Sequence, residues 1–243
     1  MSEQSAIVWD EAAATFDQAA DHGLTDPHVR TAWSELLRST LPPAPARVAD
    51  LGCGTGSIAI LASELGHWVD GIDFSEEMLL AARRKSVGLR DVTFSHGDAA
   101  CPNLVEGTYD AVVCRHVLWA LPDPAAALAR WDRLLRPGGR LILIEGRWST
   151  GSGLGSSQTA QLLRDLGCAP TIIPLNDPQY WGGPIDDERY LATAEAAAGP
   201  SSTTPVEKTS DGTLVPDGTS DTGSARTQSN SHDGRVPGKP TRQ

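Results

Sequence analysis

A chain of 243 residues with 40% apolar residues and a formal charge of -11 can bury one sizeable core and is short for two ordinary domains. An acidic surface of this kind repels phosphate backbones and offers them no counterion release, which excludes non-specific binding to nucleic acid or anionic membranes. No apolar run approaches the length that spans a bilayer.

Composition shifts near residue 196. From Ala196 to Gln243 there is no Phe, Trp or Tyr, 15 residues are Ser or Thr, and the charges cancel. The negative charge therefore sits in residues 1–195, with 26 acids against 15 bases. Segment 196–243 has too few apolar groups to offset its ordering entropy, so disorder is expected there. The N-terminus lacks a signal-peptide pattern. Cys53, Cys101, Cys114 and Cys168 show neither CxxC nor metal-ligand spacing. They read as buried thiols in a cytoplasmic protein without a metal centre.

Helices and strands alternate along the chain. WDEAAATFDQAA (9–20) reads as a helix, and Asp26-Pro27 caps and starts a second. RVADL (47–51) is a buried strand, followed by a helix from Ser57 to Leu65 and a strand from His67 to Asp73. Ser75 caps a helix to about Lys85; Val92–Ser95 and Tyr109–Cys114 are strands. Asp123-Pro124 starts a helix that stops at Pro137-Gly138-Gly139, before a strand at Arg140–Ile144. A helix at Gln158–Leu166 and strands near Thr171–Leu175 and Arg189–Ala194 complete the set. The Ala-rich continuation of the last strand also suits a helix or frayed coil. This order predicts an α/β fold with a doubly wound, mainly parallel, Rossmann-like sheet of seven strands. Three parts follow: an N-terminal helical lid (1–46) over the ligand edge, a catalytic domain (47–195) and the tail (196–243).

The loop DLGCGTGS (50–57) carries the chemistry. Gly52, Gly54 and Gly56 lie between the first strand and its helix, facing the crevice where strand order reverses. Three alternating glycines exceed what a turn needs. Ser57 stands where a dinucleotide fingerprint requires its third glycine, and no Gly-Lys-Ser/Thr ending marks a phosphate loop. Asp73 ends the second strand, where a carboxylate can accept both hydroxyls of a ribose. Asp98 follows the third, placed to accept from an adenine amino group.

VADLGCGTG, GIDFSEEML, HGDA, YDAVVCRHVLWAL and LLRPGGRLILIEG resemble the successive motifs of class I S-adenosylmethionine-dependent methyltransferases, most closely the small-molecule group related to quinone biosynthesis. The resemblance runs from about Trp9 to Glu145. It implies S-adenosylmethionine as cofactor, with Asp50 and the backbone around Gly52, Cys53, Gly54 and Gly56 at the methionine end. Asp73 would hold the ribose, Phe74 and Met78 would flank the adenine, Asp98 and Ala99 would read its edge, and the Arg115 backbone would reach the amino group. It also implies an antiparallel seventh strand.

Methyl transfer from a sulfonium is an in-line displacement that needs alignment and exclusion of water. A base helps only a protonated acceptor. His116, just past the fourth strand, is the candidate, with a packing or helix-start histidine as the other reading; His22, His28 and His67 have no such placement. Trp9, Phe16, His116, Trp119, Trp148 and Trp181 are candidates for the acceptor pocket, suiting an aromatic or natural-product-like small molecule. For Trp33 and Trp131 core packing is the better reading. Two alternatives to methylation are a non-methylating reaction on the same scaffold and a regulatory cofactor-binding role. Acceptor identity, the O, N or C nucleophile and the oligomeric state stay open.

Overall fold

Side chains on β4 (Tyr109–Arg115) and β5 (Leu135–Arg147) alternate between two apolar layers, and that alternation organises the molecule. Ala111, Val113, Ile142 and Ile144 face one layer; Val112, Cys114, Leu141 and Leu143 face the other. The computed structural model describes residues 3–196, with side chains from Ile7 onward. From residue 197 the segment expected to be disordered lies outside the described residues.

The seven strands lie in the order β3-β2-β1-β4-β5-β7-β6, with β1 at Arg47–Leu51, β2 at Trp68–Asp73, β3 at Val92–His96, β6 at Thr171–Pro174 and β7 at Glu188–Glu195. Strands β1 to β5 pair in parallel, whereas β7 runs antiparallel to β5 and β6. The order reverses between β1 and β4, which opens a crevice at their carboxyl ends. This is the expected doubly wound α/β sheet with its antiparallel strand. The doubtful β7 is a fully paired internal strand, because two hydrogen-bonded neighbours override the helix preference of its alanines.

One layer is closed by α3 (Pro27–Thr40) and α4 (Ser57–Glu64), the other by α6 (Pro124–Leu134) and α7 (Ser156–Asp165). The Asp26 carboxylate caps α3 by accepting from the N–H groups of His28 and Val29. Val29, Ala32, Trp33, Leu36, Leu37 and Thr40 then fall on one buried face at helical spacing. Each large side chain buried there contributes about 2 kcal/mol. Trp33 and Trp131 are fully buried, and their indole N–H groups reach the carbonyls of Tyr180 and Ala99 at 2.7 Å. Their core reading stands.

Four expectations need correction. The leading helix α1 (Glu3–Phe16) stops short of residue 20, and a four-residue helix α2 (Ala20–Gly23) follows. The break turns Asp17 toward Thr55 and Lys85, with hydrogen bonds of 2.5 and 2.8 Å. Of the segment 1–46, α1 packs on α5 (Glu76–Lys85), but α3 belongs to the sheet's own core. Pro137-Gly138-Gly139 does not precede β5 but lies within it. Leu135 pairs with Tyr109 and Arg140 with Ala111, so residues 136–139 form an irregularity in the strand. Lastly, Cys53, Cys114 and Cys168 are buried thiols, but Cys101 is exposed in the turn after β3. Among the described residues no helix is long and apolar enough to cross a membrane.

Candidate functional site

The glycine loop is held from beneath by β2. The N–H groups of Gly52 and Cys53 both donate to the Ile72 carbonyl, at 2.7 and 3.0 Å. The Gly54 N–H donates to the Asp73 carboxylate at 2.7 Å. With those three donors taken, the loop is a poor cradle for phosphate. Gly52 has φ +75°, and a Cβ there would lie 2.4 Å from Val117 Cγ2. A Cβ on Gly56, at φ +79°, would lie 2.7 Å from the Phe94 ring. Glycine is required at both positions.

Asp73 is buried, and its other oxygen accepts the Ser75 N–H at 2.9 Å. Each oxygen keeps a lone pair, which is what a vicinal diol needs. Burial raises its pKa, opposed by the N–H groups of Ser75 and Gly54. Asp50 lies behind the loop, and its Oδ2 is buried without a hydrogen-bond partner. Burial pushes its pKa up to about 7, with the Arg115 guanidinium opposing and Asp73 adding to the rise. A buried carboxylate with a spare acceptor suits a cationic amine, which would draw its pKa down again.

Beyond β4 the chain makes a tight turn. His116 has φ +60°, unusual for a non-glycine residue, and its N–H donates to the Ile144 carbonyl at 2.9 Å. Glu145, at 0% exposure, fixes the next step: its Oε1 accepts from the N–H groups of Val117 and Leu118 at 3.1 and 2.8 Å. Burial raises the Glu145 pKa to about 8. The His116 ring lies parallel to Trp181, with centroids 5.9 Å apart, and edge-on to Trp148 at 5.2 Å. Burial holds its pKa well below the usual imidazole value, and Arg115 and Arg189 push the same way. The ring is a neutral imidazole at neutral pH.

These groups meet in one cavity of about 480 Å³, a size suited to small-molecule ligands. Of the residues singled out from sequence, Gly52, Gly54, Asp73, Phe74, Met78, Ala99 and Arg115 line its cofactor-like half. Trp9, Phe16, His116, Trp119, Trp148 and Trp181 line the same cavity. Asp50, Cys53, Gly56 and Asp98 do not reach its wall. Asp98 accepts the Ala100 N–H at 2.8 Å, while its neighbour Ala99 faces the cavity.

Sequence reasoning missed Asp21, His22, Val117 and Arg189, all in the wall. His22 had been set aside, yet it stacks on Phe16 with centroids 4.2 Å apart. Arg115 Nη1 donates to the Asp21 carbonyl and so draws α2 to the end of β4. Arg189 reaches in from β7, its guanidinium 4.8 Å from the Trp181 ring and paired with Asp187 at 2.8 and 3.0 Å. No local pattern marks these residues, because each depends on a contact between distant segments.

The fold is a doubly wound α/β sheet whose topological switch point opens into a cavity of small-molecule size. Residues 49–143 match the family model described as a methyltransferase domain. A ubiquinone biosynthesis O-methyltransferase of Thiobacillus denitrificans is 39% identical over 162 residues, which cover 64% of this chain and 62% of that protein. An uncharacterised 37.1 kDa protein from a Streptomyces fradiae transposon is 33% identical over 172 residues, covering 59% of this chain and 50% of its own length. The chain spans about half the length of the first curated relatives it matches. Among solved structures, the [4+2]-cyclase SpnF shares the fold, with a TM-score of 0.61, 22% identity and coverage of 69% of this chain and 81% of that one. Residues 49–143 thus carry a methyltransferase domain, in a chain similar to ubiquinone-biosynthesis and demethylmenaquinone methyltransferases.

Proposed function

We propose that the protein transfers the methyl group of S-adenosylmethionine to a small organic acceptor in the cytoplasm. One observation carries the reading: a single cavity joins the glycine loop and Asp73 to an aromatic wall. When bound, the cofactor supplies an activated methyl group on sulfur. Gly52 and Gly54 face its charged amino-acid end, while Cys53 and Gly56 shape the loop and Asp50 acts from behind the wall as a compensating carboxylate. Asp73 accepts from the ribose hydroxyls, Phe74 and Met78 enclose the adenine, and Ala99 faces its edge, with Asp98 holding that turn through the Ala100 N–H. The backbone of Arg115 completes the amine site.

The acceptor lies against Trp119, Trp148 and Trp181, with Trp9 and Phe16 closing the side toward α1. Their flat apolar faces suit an aromatic or natural-product-like compound and exclude water from the displacement. Deprotonation of a hydroxyl acceptor depends on His116, whose buried Nε2 has no hydrogen-bond partner. Segment 1–46 contributes to closure through α1 and α2. The charge balance keeps nucleic acid from being a substrate.

Titration calorimetry with S-adenosylmethionine tests the first half. Absence of binding, or unchanged binding in Asp73→Ala, overturns it. The second half is read with methyl-labelled cofactor and candidate acceptors, label in the product being the expected result. The other reading is a non-methylating reaction, such as a cyclisation, on the same scaffold; unlabelled product would select it.

A further inference from the structure

We propose that Asp21, His22 and His116 form a binding site for a first-row divalent cation of the zinc, cobalt or nickel kind, beside the acceptor pocket. The proposal deepens the methyl-transfer reading and rests on it for the ion's role, though not for its binding. One ligand atom from each residue lies within 4.8 Å of the other two. A small contraction brings such a set around an ion with bonds of about 2.0–2.2 Å. Two imidazoles and a carboxylate suit zinc and its neighbours, whereas magnesium and calcium favour oxygen ligands.

Each ligand is already fixed by something else. His116 is set by its left-handed backbone and the Ile144 carbonyl, and its Nε2 is buried with no partner. An orphaned buried nitrogen is costly unless something binds it. The His22 ring is held by stacking on Phe16. The Asp21 carbonyl takes the Arg115 guanidinium, and a carboxylate oxygen of Asp21 lies 3.6 Å from His22 Nε2.

Two cations stand nearby: Arg189 is paired through two nitrogens with Asp187, and Arg115 donates to the Asp21 carbonyl. Three protein ligands leave coordination positions open, so an oxygen of the acceptor can complete the shell beside Trp148 and Trp181. With the ion bound, His116 is a ligand and not the base, and the cation acts as a Lewis acid that lets an acceptor's hydroxyl proton pass to solvent. The sequence gives no metal spacing because the pair on α2 and His116 after β4 meet only in the folded chain.

The full chain, stripped with a chelator, is titrated with Co²⁺ and followed by visible absorption, then challenged with Zn²⁺. One Co²⁺ per chain, displaced by Zn²⁺, is expected, with affinity weakened at least about tenfold in His22→Ala and in Asp21→Asn. No bound ion, or binding unchanged in both variants as exposed His28 or His96 would produce, overturns the site. Calorimetry with S-adenosylmethionine on the same metal-free samples separates the two readings. Cofactor binding without ion binding overturns the metal alone, and loss of both in the unmutated chain overturns the methyltransferase reading as well. If a variant no longer binds cofactor, the unmutated chain decides: a single saturating Co²⁺ spectrum with nitrogen ligation upholds the site and its absence overturns it.

Discussion

The Asp73 carboxylate accepts the Gly54 N–H at 2.7 Å and thereby ties the glycine loop to the end of β2. The same carboxylate lines the cavity, and in the proposed function it accepts from the ribose, so one side chain would both shape the loop and meet the ligand. Asp73→Ala is expected to weaken S-adenosylmethionine binding by about 10- to 100-fold, the range for loss of hydrogen bonds to a charged group. Asp73→Asn keeps one acceptor and falls between. Calorimetric dissociation constants decide it.

Glu145 makes stability depend on pH. Its pKa rises from 4.5 to about 8 on folding, so between those values the native state binds more protons than the unfolded chain. Its contribution is complete below about pH 4.5 and is lost as pH rises through 8, by up to roughly 1.4 kcal/mol for each pH unit crossed. Glu145→Gln removes the titration and keeps an oxygen for the Val117 and Leu118 N–H groups. Denaturant titrations from pH 7 to 8 should fall less steeply for the variant. That window lies above most of the comparable Asp50 titration, which folding raises to about 7.

Asp17 latches the leader to the site. It accepts from Thr55 at 2.5 Å and from Lys85 at 2.8 Å, and Lys85 also reaches Ser57 at 2.9 Å. The pair is partly exposed, so Lys85→Met should cost no more than about 1 kcal/mol of global stability. It should nonetheless speed proteolysis between Phe16 and Leu24 and raise KM for the acceptor. Unchanged cleavage kinetics would count against the latch.

Trp119 and Trp148 lie 5.3 Å apart in the cavity wall. Trp148→Ala is expected to raise acceptor KM about tenfold or more, as loss of an aromatic face in a desolvated pocket does. Cofactor affinity should stay within about twofold, because Trp148 packs on His116, Trp119 and Arg189. Equal effects on both ligands would contradict the division of the cavity.

Gly52→Ala tests the close approach of loop and turn. A methyl group would meet Val117 at 2.4 Å on a backbone with φ +75°, for a cost of about 2–4 kcal/mol. Adding Val117→Ala relieves the collision but not the backbone strain, so only part of the thermal stability should return.

Local signals settled a great deal. Alternating apolar runs and the Asp-Pro and Ser caps marked most elements to within a few residues, because caps and periodicity are properties of short segments. The loop Gly52-x-Gly54-x-Gly56 was equally legible, since only glycine fits its backbone at the two crowded positions. The break after Phe16, the strand that absorbs Pro137, and the internal place of β7 were not. Each is imposed by a partner distant in sequence: Thr55 and Lys85, Tyr109, and the paired β5 and β6.

The sequence by itself determined the element order, the ligand-facing loop and the acid at the end of β2. Only the tertiary structure decided that Asp50 stays behind the cavity wall and that Asp21, His22 and Arg189 enter it. Contacts within a turn or a helix are written in neighbouring residues, whereas a cavity is made by segments that share nothing in the chain except the space they enclose.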